Sequence, residues 1–186
     1  MRVVAGFLRG RTIKPVPGKN TRPTLDKVKE AVFNILGQFF AGGVGLDLYS
    51  GSGNLGIEAI SRGLDKCVFV EKSYLAYQTI VNNLKQLAIS DYSEVYKIDA
   101  NLFLKNYHKD KFDYVFLDPP YKNHQINDIL VTLVDKNLLN RYATVTVECL
   151  KTNELFSSYQ DLVMEKEYLY GISKITIYKK TGDNNE

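Results

Sequence analysis

Strand-like and helix-like segments alternate along most of this chain. From residue 45 onward, four apolar segments typical of β-strands are each followed by an amphipathic, helix-like segment. The four strand-like segments are "GLDLY", "CVFVE", "SEVYKID" and "FDYVFLD". Alternation of this kind is typical of a doubly wound α/β sheet, with its strands parallel and helices packed against it. We therefore predict an α/β fold of this type.

The end of the chain departs from the alternation. After a fifth strand, "ATVTVEC", we expect a short helix near "KTNELFSSY" and then two further strands, "LVMEKEYLY" and "KITIYKK". Only residues 171–173 join the last two strands, which is too short for a crossover helix, so they must pair antiparallel. The predicted sheet is mostly parallel and seven-stranded, with an antiparallel C-terminal strand.

An N-terminal extension precedes the alternating region. The segment "RVVAGFLRGRTIKPV" alternates apolar and polar residues around Gly10, which predicts a β-hairpin formed by residues 2–7 and 11–16. The segment "RPTLDKVKEAVFNILGQFF" has apolar residues at helical spacing, with Thr24 placed to cap, and predicts an amphipathic helix.

The composition is that of one globular domain. The chain has 186 residues, 45% of them hydrophobic and 24% charged. We divide it into an extension (residues 1–43), a core (residues 44–181) and a frayed tail (residues 182–186). It has no apolar run near the ~20 residues that span a bilayer, and its N-terminus lacks the apolar stretch of a signal peptide. We expect a cytoplasmic protein with no membrane partner.

Cysteine and histidine are scarce. Cys67 and Cys149 both lie in apolar, strand-like segments and are expected to be buried thiols without a chemical role. The two histidines, His108 and His124, cannot build a metal site with so little cysteine nearby. We therefore predict no bound metal.

The positive charge is concentrated at the N-terminus. Residues 1–30 hold eight basic and two acidic residues, whereas the whole chain has a net charge of +3. A basic segment on a slightly acidic body indicates a polyanionic partner such as a nucleic acid. The alternative is an ordinary solvated face. The candidate RNA contacts are Arg2, Arg9, Arg11, Lys14 and Arg22.

The segment "DLYSGSGNLG" carries a glycine-rich loop between a strand and a helix. Gly51, Gly53 and Gly56 would let the backbone approach a ligand closely, with helix N–H groups directed at it. Glu71 ends the next strand, where a carboxylate can accept both hydroxyls of a ribose. The loop alone fits a dinucleotide, S-adenosylmethionine or a turn without a ligand.

Three features favour S-adenosylmethionine. Asp47 precedes the glycines by four residues, where it could reach the amino acid end of the cofactor. Asp99 and Ala100 end the third strand and place a second carboxylate at the adenine edge. A dehydrogenase would also need a substrate domain for which this chain has no room. The predicted cofactor contacts are Asp47, Ser50, Gly51, Gly53, Asn54, Glu71, Lys72, Asp99 and Ala100.

The segment "FLDPPY" stops the fourth strand abruptly. Two consecutive prolines remove two backbone donors and fix two φ angles. In a doubly wound sheet, ligands bind beyond the carboxyl ends of the strands at the switch point, and the fourth strand is expected beside the first. Residues 118–121 would then lie next to the glycine loop, at the methyl group of the cofactor. Taken alone, the segment also fits an ordinary turn.

These residues suit methyl transfer to an exocyclic amine of a base. If Asp118 and the Pro119 carbonyl each accept one N–H, the nitrogen can pyramidalise and direct its lone pair at the methyl group. Pro119 and Pro120 hold that carbonyl in one direction. Tyr121 can stack on the base, a contact worth ~1–3 kcal/mol. The predicted catalytic residues are Asp118, Pro119, Pro120 and Tyr121.

The chain resembles the RsmD family of methyltransferases nearly end to end. "DPPY" and the glycine loop are shared with many amino-methyltransferases, whereas "RPTLDKVKEAVFNIL" joined to the N-terminal "RVVAGFLRGRTI" points to this family. The resemblance implies a Rossmann-like class I S-adenosylmethionine-dependent fold. It also implies a cytoplasmic enzyme that methylates the N2 amine of one guanine in 16S rRNA during small-subunit assembly. We expect a monomer that acts on an assembling 30S particle.

Lys29 departs from the family, which usually has arginine there; the charge is kept, but a forked contact would be lost. Asn34 and the "RPT" turn could cover the methionine end of the cofactor, or Phe33 and Asn34 could simply be core and surface. His124 could gate the pocket or be an exposed loop residue.

Other functions stay open on the sequence alone. They are an amino-methyltransferase acting on adenine N6 of DNA or RNA, a non-catalytic RNA-binding assembly factor of the same fold, and a nicotinamide-dependent reductase. The adenine enzymes usually carry a sizeable target-recognition domain, and no segment here could be one.

Overall fold

The structure, a computed structural model, describes residues 1–18, 24–120 and 125–182, with the backbone alone for residues 24–28. The described helices are Thr24–Leu36 (α1), Asn54–Ser61 (α2), Tyr74–Leu87 (α3), Ala100–Asn106 (α4) and Ile126–Asp135 (α5). The strands are Val44–Leu48 (β1), Lys66–Val70 (β2), Ser93–Tyr96 (β3), Phe112–Leu117 (β4), Leu139–Leu150 (β5), Ser158–Tyr159 (β6), Leu162–Tyr170 (β7) and Ser173–Lys180 (β8).

All eight strands form one sheet in the order β3-β2-β1-β4-β5-β8-β7-β6. Strands β1 to β5 are parallel, and β8 pairs antiparallel with both β5 and β7. In this register Leu48 of β1 pairs with Val70 of β2 and with Leu117 of β4. The carboxyl ends of these three strands therefore meet at one edge, and the predicted α/β fold with an antiparallel C-terminal strand is confirmed.

Helices cover both faces of the sheet. One face packs against α4 and α5 through buried residues such as Phe103 and Leu130. The other packs against α1, α2 and α3, through Phe33, Ile57 and Ile80 among others. Both cysteines are buried thiols, as predicted. None of the described helices is long and apolar enough to cross a membrane.

The predicted helix near "KTNELFSSY" is wrong. Ser158 and Tyr159 form β6, which pairs with β7 and makes the sheet eight-stranded rather than seven-stranded. The amide of Met164 donates to the Ser157 carbonyl (2.8 Å), and the Tyr159 hydroxyl donates to Asp135 of α5 (3.0 Å). Pairing with a later segment therefore overrides the local helical pattern.

The predicted N-terminal hairpin is also wrong in its extent. Within residues 1–18, which we call the N-terminal arm, the described pairing is a single antiparallel bridge between Arg2 and Thr12. Val4 and Ala5 donate their amides to Glu58 of α2 (2.8 and 3.0 Å) instead of to a facing strand. The arm is therefore held against α2 as well as by its own backbone hydrogen bonds, such as that from the Val3 amide to the Arg11 carbonyl (2.9 Å).

Candidate active site

The glycine-rich loop leaves β1 through a sharp left-handed turn. Tyr49, Gly51 and Gly53 have φ values of 62°, 57° and 79°, a region that costs a non-glycine residue such as Tyr49 of the order of 1–3 kcal/mol. A Cβ at Gly51 would meet only the Tyr49 carbonyl oxygen, at 3.9 Å, whereas a Cβ at Gly53 would lie 3.2 Å from Ile57 and 3.4 Å from Phe69. Gly51 thus borders open space, and Gly53 faces the core.

Asp47 and Ser50 brace this loop. Asp47 is buried, and its Oδ2 accepts the Gly56 amide (3.0 Å). Burial raises the pKa of Asp47 to about 8, and the charges of Asp118 and Glu71 act in the same direction. The Ser50 hydroxyl donates to the Asp47 carbonyl (2.5 Å). Both side chains hold the loop in shape, and their direct contact with a cofactor stays a prediction.

Glu71 joins the end of β2 to the same loop. Its Oε2 accepts the Gly51 amide (3.0 Å), and its Oε1 accepts the Ser73 amide (2.8 Å). A carboxylate oxygen can accept two hydrogen bonds, so the half-buried Glu71 keeps capacity for the hydroxyls of a ribose. The neighbouring Lys72 is exposed.

The remaining predicted cofactor contacts lie on either side of this loop. Asp99 is exposed at the start of α4 and accepts the Asn101 amide (3.0 Å), while Ala100 is buried in the core. Asn54, the first residue of α2, accepts a hydrogen bond from the Lys29 Nζ (3.0 Å). Asn54 is therefore engaged with α1 as well as adjoining the loop.

Asp118 follows β4 directly, at the edge where the glycine loop begins. Leu117, the residue before it, pairs with Leu48 of β1, and the charge of Asp118 acts on Asp47. Pro119 is buried and Pro120 exposed. The predicted proximity of Asp118 to the glycine loop is thus present. Three singled-out residues, Arg22, Tyr121 and His124, lie outside the described residues.

A second acid, Glu148, lies beside Asp118 and was missed by the sequence reasoning. Val147 of β5 pairs with Leu117 of β4, so Glu148 and Asp118 follow at neighbouring positions. Burial, followed by the charge of Asp118, raises the pKa of Glu148 to about 8. A lone acid at the carboxyl end of an apolar strand was the signal in the sequence.

Comparison with known proteins identifies the family. Residues 1–179 match the family described as "Conserved hypothetical protein 95". The chain is 43% identical over 184 residues to "Putative rRNA methyltransferase YlbH" of Bacillus subtilis, covering 98% of this chain and 100% of that protein. It is 33% identical over 181 residues to "Ribosomal RNA small subunit methyltransferase D" of Haemophilus influenzae, covering 96% of this chain and 93% of that protein.

The chain belongs to this family of methyltransferases. The resemblance to the RsmD family is therefore confirmed. The fold also matches the solved structure titled "Putative methyltransferase yhhF from Escherichia coli", with a TM-score of 0.86 and 27% identity, covering 97% of this chain and 98% of that one.

Within this methyltransferase, a buried charge network holds the arm and α1 against α2. Glu58 is fully buried, and its two oxygens contact the Lys29 Nζ (3.2 Å) and the Arg62 Nε (2.8 Å). Lys29 also donates to the Arg2 carbonyl (2.5 Å). The Glu58–Arg62 pair is visible in the sequence because the two residues are four apart in a helix. The Lys29–Glu58 pair is not, because only the fold brings Lys29 next to Glu58.

The predicted RNA contacts on the arm are exposed. Arg2, Arg9, Arg11 and Lys14 all reach the surface, and Arg11 donates to the Gln86 carbonyl of α3 (3.3 Å). They lie on a segment that is itself held in place by buried residues. Their contact with RNA stays a prediction.

The α1 side chains separate into core and surface. Phe33 is buried, 5.8 Å from the Phe116 ring, and Asn34 is exposed. This arrangement favours the core-and-surface interpretation of that pair.

Proposed function

We propose that this protein transfers a methyl group from S-adenosylmethionine to the exocyclic N2 amine of a guanine in 16S rRNA. The observation that carries the proposal is the pairing of Leu48 with Leu117, which sets Asp118-Pro119-Pro120 beside the glycine loop. The names of the relatives, which describe rRNA methyltransferases, support the choice of substrate.

The residues at this edge fit the cofactor. In the strand order β3-β2-β1-β4, the strand ends carry in turn Asp99, Glu71, the glycine loop and Asp118. Asp99 is suited to the adenine edge, Glu71 to the ribose hydroxyls, and the open side of Gly51 to the methionine part. S-adenosylmethionine supplies an electrophilic methyl group on a sulfonium sulfur.

Asp118 and the Pro119 carbonyl orient the acceptor amine. The lone pair of such a nitrogen is delocalised into the base, so the free amine is a poor nucleophile. Two acceptors, one for each N–H, favour a pyramidal nitrogen whose lone pair can attack the methyl carbon as the carbon–sulfur bond breaks. Tyr121 stacks on the base that carries the amine.

No strong general base is required. The nitrogen becomes acidic once it bears the methyl group and then loses its proton to Asp118 or to water. Most of the acceleration comes from holding the amine in line with the methyl group, for which orientation can supply ~7–11 kcal/mol. A well-braced loop suits this purpose because it does not need to reorganise during the reaction.

The N-terminal extension provides the RNA affinity. The exposed Arg2, Arg9, Arg11 and Lys14, together with Arg22, contact phosphates, while residues 44–181 carry the chemistry. The enzyme acts as a monomer in the cytoplasm, on rRNA within an assembling 30S particle.

Labelled S-adenosylmethionine tests the proposal. The protein is incubated with free 16S rRNA and with 30S particles from cells lacking the enzyme, and the labelled nucleoside is identified by mass. We expect N2-methylguanosine at one position, with more label in the particle. Label in N6-methyladenosine, or binding of a nicotinamide cofactor instead, would refute the proposed reaction; RNA binding without any label would indicate an assembly factor.

A further inference from the structure

Glu148 and Asp118 are held at matching positions on neighbouring parallel strands. Val147 pairs with Leu117, and Thr146 pairs with Phe116. Phe116 packs on the α1 face of the sheet, and side chains alternate along a strand, so Asp118 and Glu148 both point to that face. Neighbouring strands are ~4.8 Å apart, so both carboxyls can reach adjacent atoms of one flat ligand.

Glu148 is mostly buried, and its carboxyl has no polar partner in the described part of the chain. Its exposed fraction is 9%, and it forms neither a hydrogen bond nor an ion pair there. Opposite it on β8 lies the apolar Ile175, and the charged group that acts on it is Asp118. A mostly buried carboxyl is costly to ionise without a partner, and because its oxygens are not fully enclosed, such a partner can arrive with the substrate.

Guanine supplies such a partner next to its N2 amine. The ring nitrogen N1 carries a hydrogen, so N1–H and the N2 amine are adjacent donors on one edge of the base. Adenine and 2-aminopurine instead have a lone pair at N1. When Asp118 accepts a hydrogen bond from the N2 amine, the neighbouring N1–H faces either β1 or β5. On β5 the residue at this position is Glu148.

We propose that Glu148 accepts the N1–H hydrogen bond of the target guanine and thereby selects guanine over purines that have a lone pair at N1. This inference rests on the proposed function. Once ionised, Glu148 can only accept, so an N1 lone pair would face a carboxylate oxygen. Sites built around a substrate N–H discriminate strongly against analogues that lack it, because the buried polar group is left unpaired.

A base analogue at the target position tests the proposal. Two 16S rRNAs are prepared by ligation, one with the natural guanine and one with 2-aminopurine, which keeps the 2-amino group but has a lone pair at N1. Methylation is measured at pH 8, close to the pKa of the carboxyl, because guanine N1 loses its own hydrogen at more alkaline pH. We expect wild type to prefer guanine by about 10²-fold or more, and Glu148→Ala to reduce this ratio below about 10-fold.

Two further variants complete the design. Glu148→Gln keeps an oxygen that accepts N1–H and should keep guanine turnover within about 10-fold of wild type, whereas Glu148→Ala should lose about 10²-fold. The matched control is Glu167→Ala, which removes a carboxylate that pairs with Lys174 (2.8 Å) on the opposite face. This control should leave the guanine preference unchanged.

The outcomes separate the two proposals. If wild type does not label guanine at all, the proposed function fails. If wild type labels guanine and Glu148→Ala keeps the wild-type ratio of guanine to 2-aminopurine, Glu148 does not read N1. If calorimetry shows that Glu148→Ala does not bind S-adenosylmethionine, the role of Glu148 is judged from Glu148→Gln instead. Loss of guanine turnover in Glu148→Gln then overturns the proposal.

Discussion

Replacing Glu58 with alanine should release the N-terminal arm. Both of its oxygens are occupied: Oε2 accepts the Val4 amide (2.8 Å) and contacts Lys29 (3.2 Å), while Oε1 accepts the Ala5 amide (3.0 Å) and contacts Arg62 (2.8 Å). Lys29 keeps the Arg2 carbonyl and Asn54 as acceptors, and Arg62 keeps the Gln38 carbonyl, but neither retains a negatively charged partner among the described residues. The variant therefore leaves two buried cations and two backbone amides without their shared acceptor.

The expected cost is large for a domain of this size. Breaking a buried ion pair by removing one partner costs about 3–5 kcal/mol, and each half-buried amide that loses its acceptor adds about 1 kcal/mol. The terms share one site and do not add fully, so we expect a loss of about 4–6 kcal/mol in the free energy of unfolding. Glu58→Gln keeps one acceptor oxygen and should lose about half as much.

Urea unfolding followed by circular dichroism measures this loss, and limited proteolysis reports whether the arm is released. The matched control is Lys109→Ala, since Lys109 is 60% exposed and pairs with Glu94 at 3.3 Å; an exposed pair of this kind is worth about 0–1 kcal/mol. If Glu58→Ala loses no more stability than Lys109→Ala, the buried network does not hold the arm and the reasoning is refuted.

Four further changes test the site. Gly51→Val and Gly53→Val should both abolish S-adenosylmethionine binding and lower the melting temperature, because both positions have positive φ; the fall should be larger for Gly53→Val, whose side chain would also enter the core, and calorimetry and thermal unfolding measure the two effects. Asp118→Ala should bind the cofactor normally and lose about 10²–10³-fold in turnover, and near-normal turnover would remove Asp118 from the mechanism. Arg9→Ala with Arg11→Ala should reduce the salt dependence of RNA affinity by about 1.5–2 units of log–log slope, so isotherms with the wild-type slope would argue against phosphate contacts. Because the folded pKa values of Asp47 and Glu148 are raised to about 8, their contribution to stability is full below about pH 4 and is lost as pH rises through 8; Glu148→Gln should flatten this fall in urea titrations.

The regular part of the fold could be predicted from the sequence because its signals are local. Strands β1, β2 and β4 are mostly buried apolar segments, β3 is half-buried, and the helix after each strand has apolar residues at helical spacing. The hairpin was mispredicted in the arm because its alternating apolar residues are buried by packing on helices rather than by pairing of two strands. Val3, Leu8 and Ile13 are buried against α2 and α3, while Val4 and Ala5 donate to a residue more than fifty positions away.

The missed residues have the same explanation. Glu148 becomes a neighbour of Asp118 only when β5 lies beside β4, and Lys29 meets Glu58 only when α1 packs on α2. Likewise β6 forms because β7 is in place to pair with it. The contacts of Glu148 and Lys29 are not local in sequence, so spacing and periodicity could not reveal them, whereas β6 pairs with β7 across a tight turn, with Tyr159 opposite Leu162.

The position of α2 joins the two binding surfaces that we propose. Its first residue, Asn54, directly follows the glycine loop, and its last turn holds the arm through Glu58 and Ser61. Lys29 contacts both Asn54 and Glu58, so it connects the start of the helix with that last turn. The eight residues of α2 make only about two turns. The buried network therefore fixes the basic side chains of the arm relative to the glycine loop, and in the proposed function this would let rRNA bound to the arm present a base to Asp118 in a defined orientation.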